Sequence, residues 1–263
     1  MKGSTNTLIN TTKTTTAINF TKERRSSLIG AIFLMATSAI GPGFITQTAT
    51  FTASMGAAFA FGILASVLMD FVIQMNIWRV VTLTNMRASD LANKAIPGSG
   101  YVLSAFIIFG GLIFNVGNIA GSGLGLNALL GIDPKLGGAL SALVAIGIFI
   151  CRRVGILMDR IVVYLGLVMI ALTVFVVYHS NPPVGEALRQ TIMPDEINFA
   201  TIVTIVGGTV GGYITYAGAH RLLDNGISGK ENLNSVTKAA LNGILVTGIM
   251  RYVLFLAVLG VVA

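Results

Sequence analysis

Apolar residues fall in long runs along this chain, separated by short polar stretches. The runs do not alternate with period two, so the strands of a membrane barrel are not expected. Seven runs reach or approach the ~20 residues with which a helix crosses ~30 Å of hydrocarbon. They lie at roughly 28–54, 57–80, 101–127, 136–150, 160–178, 199–220 and 239–263. The fourth is short and depends on its neighbours. The pattern predicts an all-α, polytopic membrane protein. Ahead of it, residues 1–27 are polar and rich in Thr, with no short apolar core or small-residue cleavage site. They read as a disordered cytoplasmic tail. Asn10-Thr11-Thr12 and Asn19-Phe20-Thr21 fit the glycosylation pattern, but a cytoplasmic tail does not meet that machinery.

Two of the runs carry helix breakers at their middle. The first holds "SAIGPGFITQ", with Pro42 between Gly41 and Gly43, and the sixth holds "TIVGGTVGGYITYAGAH", with Gly207, Gly208, Gly211 and Gly212. Backbone groups freed at mid-membrane must be buried or line a cavity. The two spans are five crossings apart and so run in opposite directions. That is the pattern of an inverted repeat whose first helix unwinds at the bilayer midplane. Residues 28–180 then form a first five-helix repeat, and 199–263 the first two helices of a second. The chain stops at "LAVLGVVA", inside an apolar run, which reads as a fragment of a longer protein. Glycines that only permit close helix packing are the alternative reading of both breaks.

Composition agrees with the pattern. Charged residues are 10% of the 263, mean hydropathy is +0.83 and the net charge is +7; a soluble domain is about 25% charged. With the N-terminus in the cytoplasm, the inner side receives Lys2, Lys13, Lys22, Arg24, Arg25, Arg79, Arg87, Lys94, Arg152, Arg153, Arg160, Arg221, Lys230 and Lys238. Only Lys135 and Arg189 fall outside, and Arg251 lies within a span. This positive-inside bias sets the orientation and makes the basic charge a membrane address. A nucleic-acid partner is not expected; the lipid bilayer is. The expected location is the plasma membrane. The single cysteine, Cys151, excludes an internal disulfide and reads as a packing residue at a helix end.

"GPGFITQTATFTASMG", "ASDLANKAIPG" and "GSGLGLNALLGI" resemble segments of the NRAMP family of divalent-metal transporters, which have a LeuT-like fold. The resemblance covers most of the chain beyond the tail. It implies a secondary transporter, a symporter, whose substrate binds between unwound helices one and six, at Gly41, Gly43, Phe44, Gln47, Gly211, Tyr213 and Thr215. It also implies that helices one, two, six and seven rock against the rest. The chain departs from the family at the ligands themselves. The family's metal-binding Asp and Asn fall on Gly41 and Phe44. Its Met-Pro-His falls on Gly211, Gly212 and Tyr213, and two acidic residues of span three fall on Asn115 and Asn118. Mn²⁺ or Fe²⁺ is the substrate that the family implies. A Mn²⁺ site ordinarily uses oxygen ligands with a carboxylate. Phe44 and the neutral replacements suit a small organic solute, amino-acid- or lactam-like. No metal site is assigned to named residues and no cofactor is expected; a coupling ion, proton or sodium, is left open.

Other polar residues lie within spans. Asp70 in span two and Arg251 in span seven are costly in lipid and should face protein or water. In a LeuT-like arrangement these two helices are symmetry mates, so an Asp70–Arg251 pair is expected. A protonated Asp70 bonded to Gln74 or to a carbonyl is the alternative. Asn115 and Asn118 either bond between helices or line the solute path. Gly117, Gly121 and Gly125 form small-xxx-small patterns that permit close approach. His220 and His179 fall at opposite faces and do not form a shared metal site.

Enzyme classes find little support. No His-Glu-x-x-His occurs, and no Ser is paired with an intramembrane His. "IPGSG", Ile96 to Gly100, lacks the Lys and preceding strand of a phosphate loop and reads as a turn. The competing reading to a transporter is an inactive fragment.

Overall fold

The computed structural model describes residues 41–208 and 210–262. The expected tail, its two Asn-x-Thr sites and the first part of span one lie outside the described residues. Among the described residues the elements are helical, with no strand. In chain order they are α1 (Pro42–Met55), α2 (Phe59–Thr84), α3 (Ala88–Ala95), α4 (Ser99–Leu130), α5 (Pro134–Ile150), α6 (Arg152–Ser180), α7 (Val184–Ile192), α8 (Phe199–Gly207), α9 (Thr215–Asp224) and α10 (Leu233–Val262).

Each boundary has a local cause. α1 starts with Pro42 at its first position and Gly41 extended (φ −67°, ψ 171°). Proline fits there because that N–H has no partner inside a helix. α5 starts at Asp133, whose side chain accepts from the N–H groups of Lys135 and Leu136. Asn198 caps α8 through the N–H of Thr201. α1 ends at Gly56, with φ 55° and ψ −134°, a conformation that glycine adopts far more readily than other residues. A short 3₁₀ turn, Gly56–Ala58, then leads into α2.

This turn reverses the chain. Phe44 lies 5.8 Å from the Arg251 guanidinium, and Asp70 lies 2.8 Å from the same group. A straight helix would separate positions 44 and 70 by about 39 Å at 1.5 Å per residue. α1 and α2 therefore fold back on each other at Gly56, and α10 packs against both. Phe44, Ala57, Phe59, Ile63, Phe255 and Leu259 form the buried apolar core of this unit. A second core lies around Trp78, Ile214, Leu222 and Val236, where α2, α9 and α10 meet.

Among the described residues, four helical stretches are long and apolar enough to cross a membrane: Pro42–Thr84, of which α2 alone supplies 26 residues beyond the Gly56 reversal, Ser99–Leu130, Phe199–Asp224 and Lys230–Val262. A fifth arises if Tyr164–Ser180 and Val184–Ile192, bent by 109°, form one broken span. α5 has 17 residues, about 25 Å of helix, which is short for a crossing. α4 turns Tyr101, Phe106, Ile108 and Phe109 outward, each more than half exposed, as a lipid-facing helix does. It meets α5 glycine against glycine, Gly123 against Gly138. The chain is a multi-pass membrane protein.

Two elements were not foreseen. α3 and α7 are short helices in segments that read as loops from the sequence. Both place an acid in the first turn and a base in the last, Asp90 and Lys94 in α3, Glu186 and Arg189 in α7, which favours the helix dipole. Cys151 sits where α5 and α6 meet. It is at a helix end, as expected, but exposed rather than packed.

Candidate functional site

The start of α1, where the sequence predicts the first break, is held from the side by α4. The N–H of Gly43 donates to Asn118 Oδ1 at 3.2 Å. The first N–H groups of a helix have no partner within it, so Asn118 acts as a cap supplied by another helix. Close approach permits this. A Cβ at Gly121 would stand 2.6 Å from Pro42 Cβ and 2.7 Å from its carbonyl oxygen, and Gly117 lies against Gly43. The Gly41 carbonyl accepts from the N–H groups of Phe44 and Ile45, at 2.9 and 3.1 Å. Of the small-residue stripe, Gly125 faces open space.

The second break lies between α8 and α9. α8 ends at Gly208, and Val210–Ile214 forms a π-type turn in which Gly212 is non-helical (φ −91°, ψ −149°). A Cβ at Gly212 would collide with the carbonyl oxygen of Gly207, so the kink requires glycine there. Gly211 lies within this turn.

α1 meets the second break. Gln47, on α1, reaches the end of α8, with its Nε2 3.5 Å from the Thr204 carbonyl oxygen. Its Oε1 lies 3.3 Å from where a Cβ on Gly208 would stand. Tyr213, in the second break, packs edge-on against Phe114 of α4 at 5.4 Å and beside Gly110 and Gly111. Positions 110, 111, 114, 117, 118 and 121 share one face of α4 at helical spacing. That face runs from one break to the other.

The remaining expected residues separate. Thr215 is buried, and its carbonyl accepts from Trp78 Nε1 at 2.9 Å. Asn115 is exposed and bonds back to the Gly111 carbonyl at 2.9 Å, so it does not join Asn118. Asp70 and Arg251 form the expected pair, Oδ2 to Nη1 2.8 Å, with side chains 1% and 0% exposed. Ser66 Oγ accepts from the same Nη1 at 3.3 Å. Arg251 Nε and Nη2 have no hydrogen-bond partner among the described residues. His220 sits apart from His179 in the chain order and accepts from the N–H of Ala88 at 3.2 Å.

Sequence reasoning missed how the pair is embedded. Ser66, Asp70, Gln74, Trp78 and Thr82 are all buried on α2, at steps of four. Thr247 and Arg251 repeat this spacing on α10, and Phe44, Thr48 and Thr52 on α1. Polar side chains at helical period inside apolar runs were the available signal: in lipid, the polar stripe is the buried one. The role of Thr204, which acts through its backbone carbonyl, left no comparable trace.

Comparison with known proteins follows the same lines. The chain is 54% identical over 238 residues to the uncharacterized membrane protein YcsG of Bacillus subtilis (strain 168), covering 90% of this chain and 59% of that protein. It is 52% identical over 240 residues to an uncharacterized membrane protein of Haemophilus influenzae (strain ATCC 51907 / DSM 11121 / KW20 / Rd), covering 91% and 60%. The chain thus spans about three-fifths of the length of these curated relatives. Residues 32–263 match the Nramp family, described as natural resistance-associated macrophage protein-like, and the chain belongs to that family.

Proposed function

We propose that the protein is a secondary transporter that holds a small solute between the Gly41–Phe44 break and the Gly207–Tyr213 break. The observation that carries this reading is the reach of Gln47 from α1 to the end of α8. The start of α1 and the kink after α8 would together present backbone dipoles to one place. Helix N-termini favour a negative group, and carbonyl ends favour a positive one. Residues 28–180 and 199–263 would be the first repeat and the start of the second in a LeuT-like arrangement of seven crossings. The N-terminus is cytoplasmic in this reading, and the membrane is the plasma membrane.

The groups near the breaks are the amides of Gln47 and Asn118, the Tyr213 hydroxyl, the Phe44 ring and backbone. Such a set suits a small organic solute with polar groups, of amino-acid or lactam kind. Mn²⁺ or Fe²⁺ is the second reading, and family membership favours it. Uptake of radioactive Mn²⁺ into vesicles bearing the protein, with small amino acids and lactams as competitors, tests both. Saturable uptake of an organic solute without Mn²⁺ uptake supports the first reading. Saturable Mn²⁺ uptake that the organic solutes leave unchanged overturns it in favour of the second.

A further inference from the structure

Arg251 carries more hydrogen-bonding capacity than its surroundings use. Its Nη1 is committed to Asp70 and Ser66. Its Nε and Nη2 form the other edge of the fork, are fully buried and have no partner among the described residues. Leaving a buried donor unsatisfied costs about 1–3 kcal/mol, and more on a charged group. Two parallel N–H groups on one guanidinium edge match the two oxygens of a carboxylate.

The α1 face toward α10 has the same character. The Phe44 ring lies over Arg251 at 5.8 Å. Thr48 and Thr52 follow on the buried face, and neither hydroxyl has a partner among the described residues. This is not the rule for threonines on this helix, because Thr46 and Thr50 bond back to carbonyls of their own helix. The unsatisfied hydroxyls thus lie along the helix that contributes Phe44 and Gln47 to the proposed solute site.

We propose that the Nε and Nη2 edge of Arg251 holds a carboxylate of the transported solute, beside Phe44 and Thr48, and that a proton taken up by Asp70 balances the added charge. This rests on the transport reading above and names its substrate class as a carboxylate-bearing organic anion. The balance is simple. The Asp70–Arg251 pair is neutral, and a bound carboxylate would leave one net negative charge inside the membrane. A proton from water, bonding to an Asp70 carboxylate oxygen, restores neutrality, and no covalent bond to the solute forms. Other charged residues on the packed helices are few. α1 has none, α2 has Arg79 and α10 has Lys238. α7 has Glu186 and Arg189, α9 has His220, Arg221 and Asp224, and the described side chains of α6 include His179. Arg251 is closed off in this state, so the anion enters when α1 moves away from α10, and it stabilises that state by differential binding.

The test uses formate, the smallest carboxylate, which reports on the edge whatever the solute is. The protein is labelled with ¹⁵N-arginine, and the Arg251 Nε–H resonance is assigned by its loss in Arg251→Lys. Formate is expected to move that resonance saturably, and formamide is not. Thr48→Val, which leaves the ion pair in place, is expected to weaken formate binding roughly tenfold. In weakly buffered solution about one proton should be taken up per formate bound, by the charge balance above. Asp70→Asn copies the protonated carboxyl, so it should bind formate with no proton uptake. An Arg251 resonance that formate leaves unmoved overturns the site. Proton uptake that persists in Asp70→Asn overturns the coupling. Neither readout depends on uptake, so loss of the transport reading is seen separately, as vesicles that accumulate no solute while formate still binds.

Discussion

The N–H of Gly43 and the side-chain oxygen of Asn118 are bonded at 3.2 Å across two helices. The start of α1 is therefore fixed by α4 as well as by Pro42 in its own sequence. Asn118, where the family resemblance implied an acid, here does structural work as an acceptor.

Asn118→Leu removes that acceptor. The expected loss is about 1 kcal/mol, the usual cost of deleting a helix cap. Asn118→Asp keeps an oxygen in place and should lose less. Thermal unfolding in detergent compares the two, and equal losses would mean that the Gly43 contact contributes nothing.

Two glycines of one stripe should respond with opposite sign. Gly121→Ala drives a methyl group into Pro42, at 2.6 Å, and overpacking of this kind costs about 1–3 kcal/mol. Gly125→Ala enters open space, where alanine gains up to about 1 kcal/mol of helix propensity. The same unfolding measurement should show one midpoint falling and the other holding or rising.

The buried pair lends itself to a double-mutant cycle. Arg251→Met alone strands the Asp70 carboxylate, and Asp70→Leu alone strands the guanidinium. Each is expected to cost about 3–5 kcal/mol. The double variant should cost clearly less than the sum, because no charge is left buried. Denaturant or thermal unfolding of all four proteins gives the coupling, and strictly additive losses would deny it.

Gly212→Ala probes the second kink. The added methyl meets the Gly207 carbonyl oxygen, so the turn must open. Saturable uptake of the transported solute is expected to fall at least tenfold, as for a misplacement of about 1 Å in a preorganised site. Near-normal uptake would show that the kink tolerates a side chain.

Much of this was legible in the sequence because lipid leaves few choices. The apolar runs, the second break and the Asp70–Arg251 pair followed from the cost of unpaired backbone and charge in hydrocarbon. The short helices α3 and α7 were not read from the sequence, because eight or nine residues are fewer than the window over which a helical period is counted. Asn115 and Asn118 looked alike in sequence. They are three residues apart, yet one bonds its own helix and the other caps a neighbour. That difference depends on where α1 lies against α4, and residue spacing within one helix does not encode it. The bond from Trp78 to the Thr215 carbonyl was not legible either, being a packing relation between distant segments.

Cys151 is the only thiol in the sequence, and it stands exposed at the joint of α5 and α6. A spin label or fluorophore attached there marks a single known point without any background cysteine to remove. Paired with one introduced cysteine on α1, it becomes the fixed end of a molecular ruler. The swing of the broken helix could then be read as a distance in a membrane, with the native chain altered at one position.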